Sequence, residues 1–169
     1  MYAVISPAKR LNDKALSVLE PTLPTFLTDA KRLVGIAKTL NHDELKGLMG
    51  ISDQLATLNT QRFKAFKTPY PDGEAKPAAL FFAGDTYMGL EADSWTDADF
   101  EHAQAHLGIL SGLYGLLRPK DLIMPYRLEM GSKLKNKEGK DLYAYWGQKI
   151  AKEINKRTKP LGYPSLINL

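Results

Sequence analysis

The chain has 169 residues, 44% of them hydrophobic and 25% charged, which suits one globular domain spanning 1–169 with a real core. It contains no cysteine, which excludes disulfides, thiolate metal sites and thiol-based peroxide chemistry within these residues. The formal net charge of +4 is unevenly spread: residues 1–117 carry 11 basic and 14 acidic side chains, residues 118–169 carry 12 and 5. The C-terminal third, at +7, is therefore a candidate polyanion-binding region or else a solvated basic face.

In chain order, Tyr2 to Ser6 reads as a strand stopped by Pro7. Leu27, Ala30, Val34, Ala37 and Leu40 recur at helical spacing and predict a helix over 25–40. Asn41 with Glu44 three residues on predicts a capped helix stopping near Gly50, and Ser52 opens a third carrying Leu55, Leu58, Phe63 and Phe66. Residues 69–74 form a turn-rich loop. The apolar run Ala78–Ala83 suits a buried strand, and Thr96 caps a helix whose apolar residues are Phe100, Ala103, Leu107 and Leu110. Leu113–Leu117 reads as a further strand, and Asp141 opens a last long helix through Leu142, Trp146, Ile150 and Ile154. Strands interleaved with helices predict a mixed α/β fold. Ser165–Leu169 reads as a strand that stops inside its apolar run, so the expectation is a chain whose last portion is absent. No apolar stretch is long enough to span a bilayer and the start lacks the order of a secretion signal, so no membrane partner and a cytoplasmic location are expected.

Eight strings appear in order: Ser6-Pro-Ala-Lys9, Ile51-Ser-Asp-Gln-Leu-Ala56, Gly84-Asp-Thr-Tyr-Met-Gly-Leu90, Leu110-Ser-Gly-Leu-Tyr-Gly115, Leu117-Arg-Pro119, Pro125-Tyr-Arg-Leu-Glu-Met-Gly131, Gly139-Lys-Asp-Leu-Tyr143 and Ile167-Asn-Leu169. Together they resemble the YaaA family of peroxide-stress proteins, over about the first two thirds of a family member. The resemblance implies a cytoplasmic bacterial protein that protects against hydrogen peroxide and limits unincorporated iron. It also implies a mixed α/β fold with a basic cleft, and a helix-hairpin-helix-like element that binds double-stranded or branched DNA.

The hairpin of that reading is Leu110–Gly115, where Gly112 and Gly115 would let backbone N–H groups approach a phosphate. A helix C-cap at Gly112 followed by a buried strand explains the same string. Arg118, Lys120, Arg127 and Lys133 follow, with Lys135, Lys137 and Lys140, as candidate phosphate contacts; Lys133, Lys135 and Lys137 alternate as they would on one face of a hairpin strand. Arg127 has a second reading, as a structural arginine paired with Glu129 or another buried acid. Lys9 and Arg10 follow the first strand, where α/β proteins tend to bind anions, and Ser6 and Arg62 could line the same cleft. Asp85 and Tyr87 follow the Ala78–Ala83 run and make a candidate polar cleft with Lys9 or Arg127; a turn-capping role accounts equally for Asp85.

His102 and His106 stand four apart among several acids, but no third ligand is fixed by sequence, and no metal site or cofactor is assigned. There is no phosphate loop, nucleophile elbow or supported Ser/His/Asp set, so no catalytic residue is assigned. A DNA-binding stress protein is the leading reading. A cleft enzyme, hydrolase or nuclease, acting on a phosphorylated or nucleic-acid substrate is the alternative.

Overall fold

A computed structural model describes residues 1–14, 17–162 and 165–169. Its elements are β1 (Tyr2–Ile5), β2 (Arg10–Leu11), α1 (Leu27–Ala37), α2 (His42–Met49), α3 (Asp53–Ala65), β3 (Lys76–Pro77), α4 (Ala78–Phe81), β4 (Phe82–Ala83), α5 (Asp85–Leu90), α6 (Asp97–His106), β5 (Leu107–Ser111), β6 (Gly115–Leu117), β7 (Leu122–Ile123), α7 (Leu142–Trp146), α8 (Lys149–Thr158) and β8 (Leu166–Asn168). The main sheet runs β6-β5-β1-β8, with β1 parallel to β5 and to β8, and β5 antiparallel to β6. Two short antiparallel pairs, β2 with β4 and β3 with β7, complete a mixed α/β fold. Among the described residues no helix is long and apolar enough to cross a membrane.

The period-2 alternation of β1 divides the core. Tyr2 and Val4 pack with Leu116 beneath Leu110, Ile150 and Ile154, on the face that α8 covers. Ile5 points the other way, into the larger core with Leu33, Val34, Phe81, Ile109, Tyr114 and Trp146. Local signals placed several helix ends correctly. Asn41 and Glu44 form a capping box, Gly50 ends α2 at φ +61°, and Thr96 with Asp99 forms a second box.

Five expectations change. Ala78–Ala83 is not a strand but a helical turn, α4, leading into the two-residue β4. A short apolar run has no periodicity to separate the two states, and Ala-Ala-Leu favours helix. Leu107 and Leu110 belong to β5 rather than to the preceding helix, which ends at His106. The last helix breaks at Gly147, whose φ of +46° lies outside the helical region, so α7 and α8 are separate. Lys133, Lys135 and Lys137 do alternate with buried Ser132 and Leu134, but in an irregular segment rather than a hairpin strand.

The fifth change concerns Leu110–Gly115, which is a β-hairpin and not a helix-hairpin-helix. Ser111 pairs with Gly115, the Ser111 hydroxyl accepts from the Tyr114 N–H at 2.8 Å, and Gly115 takes φ +72°. The tip faces inward: Leu113 and Tyr114 are fully buried. Its second strand, β6, starts at Gly115 rather than Leu113. The antiparallel pairing of β5 with β6 holds this state, and the burial of two large side chains on the tip stabilises it.

Candidate functional site: a cationic cleft at the strand ends

Parallel β1 and β5 both end at one place, and the chain leaves each into the wall of a cavity of about 470 Å³. From β1 come Ser6 to Lys9, from β5 come Leu110 to Gly112, and Tyr126 to Gly131 together with Tyr143 close the other sides. The carboxyl ends of parallel strands are the usual ligand position in α/β folds. A second pocket, of about 230 Å³ and including Leu48, Met49 and Ser132, shares Arg127, Glu129 and Gly131 with the first.

The segment 126–129 explains how a cation is held at that shared wall. Tyr126 and Leu128 are buried in the core, so the residues between and after them, Arg127 and Glu129, face the cleft. The Tyr126 hydroxyl is anchored on the Ser111 hydroxyl at 2.7 Å, and burial pushes the Tyr126 phenol above its usual range. Gly112 lets this segment approach: a β-carbon there would collide with the Leu128 carbonyl oxygen and lie 2.8 Å from the Glu129 carbonyl carbon. Trp146 Nε1 donates to the Gly112 carbonyl at 3.0 Å, fixing the same turn from the core side.

Arg127 is left underpaired. Its side chain is 17% exposed and its Nη2 stands 3.7 Å from Glu129 Oε1, too far for a hydrogen bond. Its Nε is buried with no hydrogen-bond partner among the described residues. A buried donor without a partner costs about 1–3 kcal/mol, a cost that an anion accepting from the guanidinium would offset. Lys9 Nζ lies 3.3 Å from the same Glu129 oxygen, so one half-exposed carboxylate stands between the two cations. Thus Arg127 does pair with Glu129, though loosely.

The other sequence candidates fall in different places. Arg62 borders a separate depression with Asp13, Met124 and Pro125; burial lowers its pKa, with a smaller contribution from the charge of Arg127. Arg10 lies across the chain in an open groove with Tyr87 and Glu91. Asp85 is exposed in the first turn of α5 and does not line the Lys9–Arg127 cavity, which corrects the joint cleft expected from sequence. Tyr87 is buried and donates to the Ser6 carbonyl at 2.9 Å, supporting the cleft from behind. Lys133 is exposed close by in sequence to Ser132.

Four expected DNA contacts are taken up inside the fold. Gly112 packs on Leu128, and Gly115 packs on Trp146 and Phe26. Arg118 is bound by Asp121, with Nη2 at 2.8 Å and Nε at 3.1 Å from Oδ1. Lys120 is buried, and its Nζ donates to Glu101 at 2.6 Å. Sequence reasoning missed Asp121, fully buried and accepting also from Thr22 Oγ1 at 2.6 Å and from the Arg118 N–H at 2.8 Å. An acid three residues after an arginine was its only local signal. His102 and His106 stack with ring centroids 4.4 Å apart, and His106 Nδ1 meets the Met1 carbonyl at 2.9 Å. Among the described residues no three potential ligands converge on a metal position.

Fold and cleft together define a mixed α/β protein with a cationic pocket at the carboxyl ends of its parallel strands. The model of the family described as "Peroxide stress protein YaaA" matches residues 1–169, and the chain belongs to that family. Among curated relatives, each called "UPF0246 protein", one from Jannaschia sp. (strain CCS1) is 55% identical over 168 residues, covering 99% of this chain and 64% of the relative. Those from Saccharophagus degradans and Teredinibacter turnerae are 49% and 48% identical over 170 residues, covering 100% of this chain and 66% of each. The chain thus spans just under two thirds of the length of these relatives.

Proposed function

We propose that this protein serves the peroxide-stress response by binding double-stranded or branched DNA through phosphate contacts at the Lys9–Arg127 cleft, in a role linked to limiting free iron. Membership of a peroxide-stress family supports the cellular role. The observation that carries the binding reading is Arg127, a half-buried and underpaired guanidinium beside Lys9 at the ends of two parallel strands. Exposed Lys133, Lys135 and Lys137 extend positive charge along the chain beyond it. Such binding positions DNA without reading bases.

A salt titration of binding to duplex and branched DNA tests this. Arg127→Gln and Lys9→Gln should each flatten the slope of log K against log salt by about 0.9, as loss of one phosphate contact requires. Folded variants with the wild-type slope overturn the reading. The iron link is tested in cells, where a deletion and Arg127→Gln should both raise unincorporated iron. The alternative, a cleft enzyme acting on a phosphorylated or nucleic-acid substrate, is favoured by one observation: the cavity of about 470 Å³ has small-molecule size. Incubation of bound DNA with magnesium or manganese, followed by a search for cleavage, decides between the two.

A further inference from the structure

The cleft's size and its charges suit different parts of a nucleic acid. A cavity of about 470 Å³ is in the range of small-molecule sites, and a double helix can lie only across its mouth. Arg127 lies on the wall shared with the second pocket, where a duplex lying across the mouth can offer it a backbone phosphate without entering. What can enter is one nucleotide unit.

Its charges specify the entering group. Lys9 Nζ and Arg127 Nη2 both face Glu129 Oε1, at 3.3 and 3.7 Å. That oxygen occupies the position an incoming oxyanion would take between the two cations. Glu129 is half exposed and, among the described residues, its carboxylate is held by these two loose contacts, so it can swing out to solvent. A phosphate monoester carries about −1.5 to −2 charge near neutral pH and presents three acceptor oxygens. It can meet a guanidinium through two parallel bonds, which Arg127 makes with no partner among the described residues. A phosphodiester, with a single charge and substituents on both sides, displaces a carboxylate with much less advantage. Around these groups the wall is apolar, formed by Leu110, Leu128 and Met130, and Tyr143 is exposed at the edge as a surface on which a base can stack.

We propose that the cleft holds a terminal phosphate monoester on a single nucleotide unit, with Arg127 and Lys9 as its partners and Glu129 as the internal anion it displaces. This rests on the same cleft as the DNA-binding reading. The unit is either the phosphorylated end of a strand or a free nucleotide, and the two sources are separable.

The test compares binding of the full chain to one duplex bearing 5′-phosphate, 3′-phosphate or hydroxyl ends, to a covalently closed circular duplex, and to dAMP. A phosphorylated end should bind at least about tenfold tighter than a hydroxyl end, Arg127→Gln should abolish that difference, and Glu129→Gln should tighten binding of the phosphorylated end. The sign of the Glu129 effect guards against an Arg127 variant that fails to fold, since Glu129 is a surface position. Equal affinity for phosphate and hydroxyl ends, equal affinity for the closed circle, or weaker binding by Glu129→Gln overturns the inference. The first two of those results leave the DNA-binding reading standing. Binding of dAMP that depends on Arg127, with no binding to any DNA, supports the site with a free nucleotide as its source and removes the DNA-binding reading.

Discussion

Arg118 reads in the sequence as a phosphate contact, but its environment makes it a stability determinant, and the two roles predict opposite results. Asp121 is fully buried and accepts from Arg118 Nε, Arg118 Nη2, the Arg118 N–H and Thr22 Oγ1 at 2.6–3.1 Å. Arg118 Nη2 also donates to the Leu23 carbonyl at 3.1 Å. The backbone bonds Thr22 N–H to Lys120 carbonyl and Leu122 N–H to Thr22 carbonyl, at 3.0 and 2.8 Å, close the same junction. Arg118→Ala removes the cation and leaves the carboxylate buried. Breaking a buried pair by deleting one partner costs about 3–5 kcal/mol, and the lower end applies because the arginine is partly exposed. That is a large share of the roughly 5–15 kcal/mol that hold a domain of this kind together. In urea, with a slope of about 1–3 kcal/mol per molar, the midpoint should fall by about 1–3 M. Asp121→Asn should destabilise comparably, and the double variant should cost less than the sum of the two. The salt slope of DNA binding, measured on folded Arg118→Ala, should stay at the wild-type value. An unchanged urea midpoint together with a slope lowered by about one unit would refute this reasoning and return Arg118 to the binding surface.

The remaining predictions concern the turn and the buried phenols. Gly112→Ala should destabilise by about 2–4 kcal/mol in urea titration, as overpacking against backbone is dearer than against a flexible side chain, because its β-carbon meets the Leu128 carbonyl. Gly131→Ala, on the same cleft with open space around it, is the control and should change the midpoint little. Burial raises the pKa of Tyr2, Tyr70, Tyr87, Tyr114, Tyr126 and Tyr145, that of Tyr70 to about 12. Each raised value contributes stability that is complete below the unfolded pKa of 10.0 and is lost as pH rises through the folded one. Denaturant midpoints should therefore fall steeply above about pH 10, with phenolate absorbance appearing together with unfolding. Tyrosines titrating normally in a protein that remains folded would contradict that account.

The residues determined those features that depend on neighbours a few positions away. Asn41 and Glu44, Thr96 and Asp99, and Gly50 mark helix ends by bonds they make within one turn, so their pattern was readable in advance. The eight ordered strings carried the family, and they contain Ser6, Lys9 and Arg127, which the structure brings around one cavity. What sequence could not decide was where each cation spends its charge. Arg118 and Lys120 look like Arg127 in a list of basic residues. Only the packing of Asp121 beneath Arg118 and of Glu101 over Lys120 neutralises the first two, while Arg127 keeps one distant carboxylate. The Leu110–Gly115 string was undecided for a similar reason: Gly-containing turns serve helices and strands alike. Long-range contacts settled it: the turn folds inward as a hairpin against Trp146 and the 126–129 segment, with Leu113 and Tyr114 completely buried. Local bonds are written in adjacent residues; the pairing of buried charges and the burial of a turn are decided by parts of the chain that meet only in the folded state.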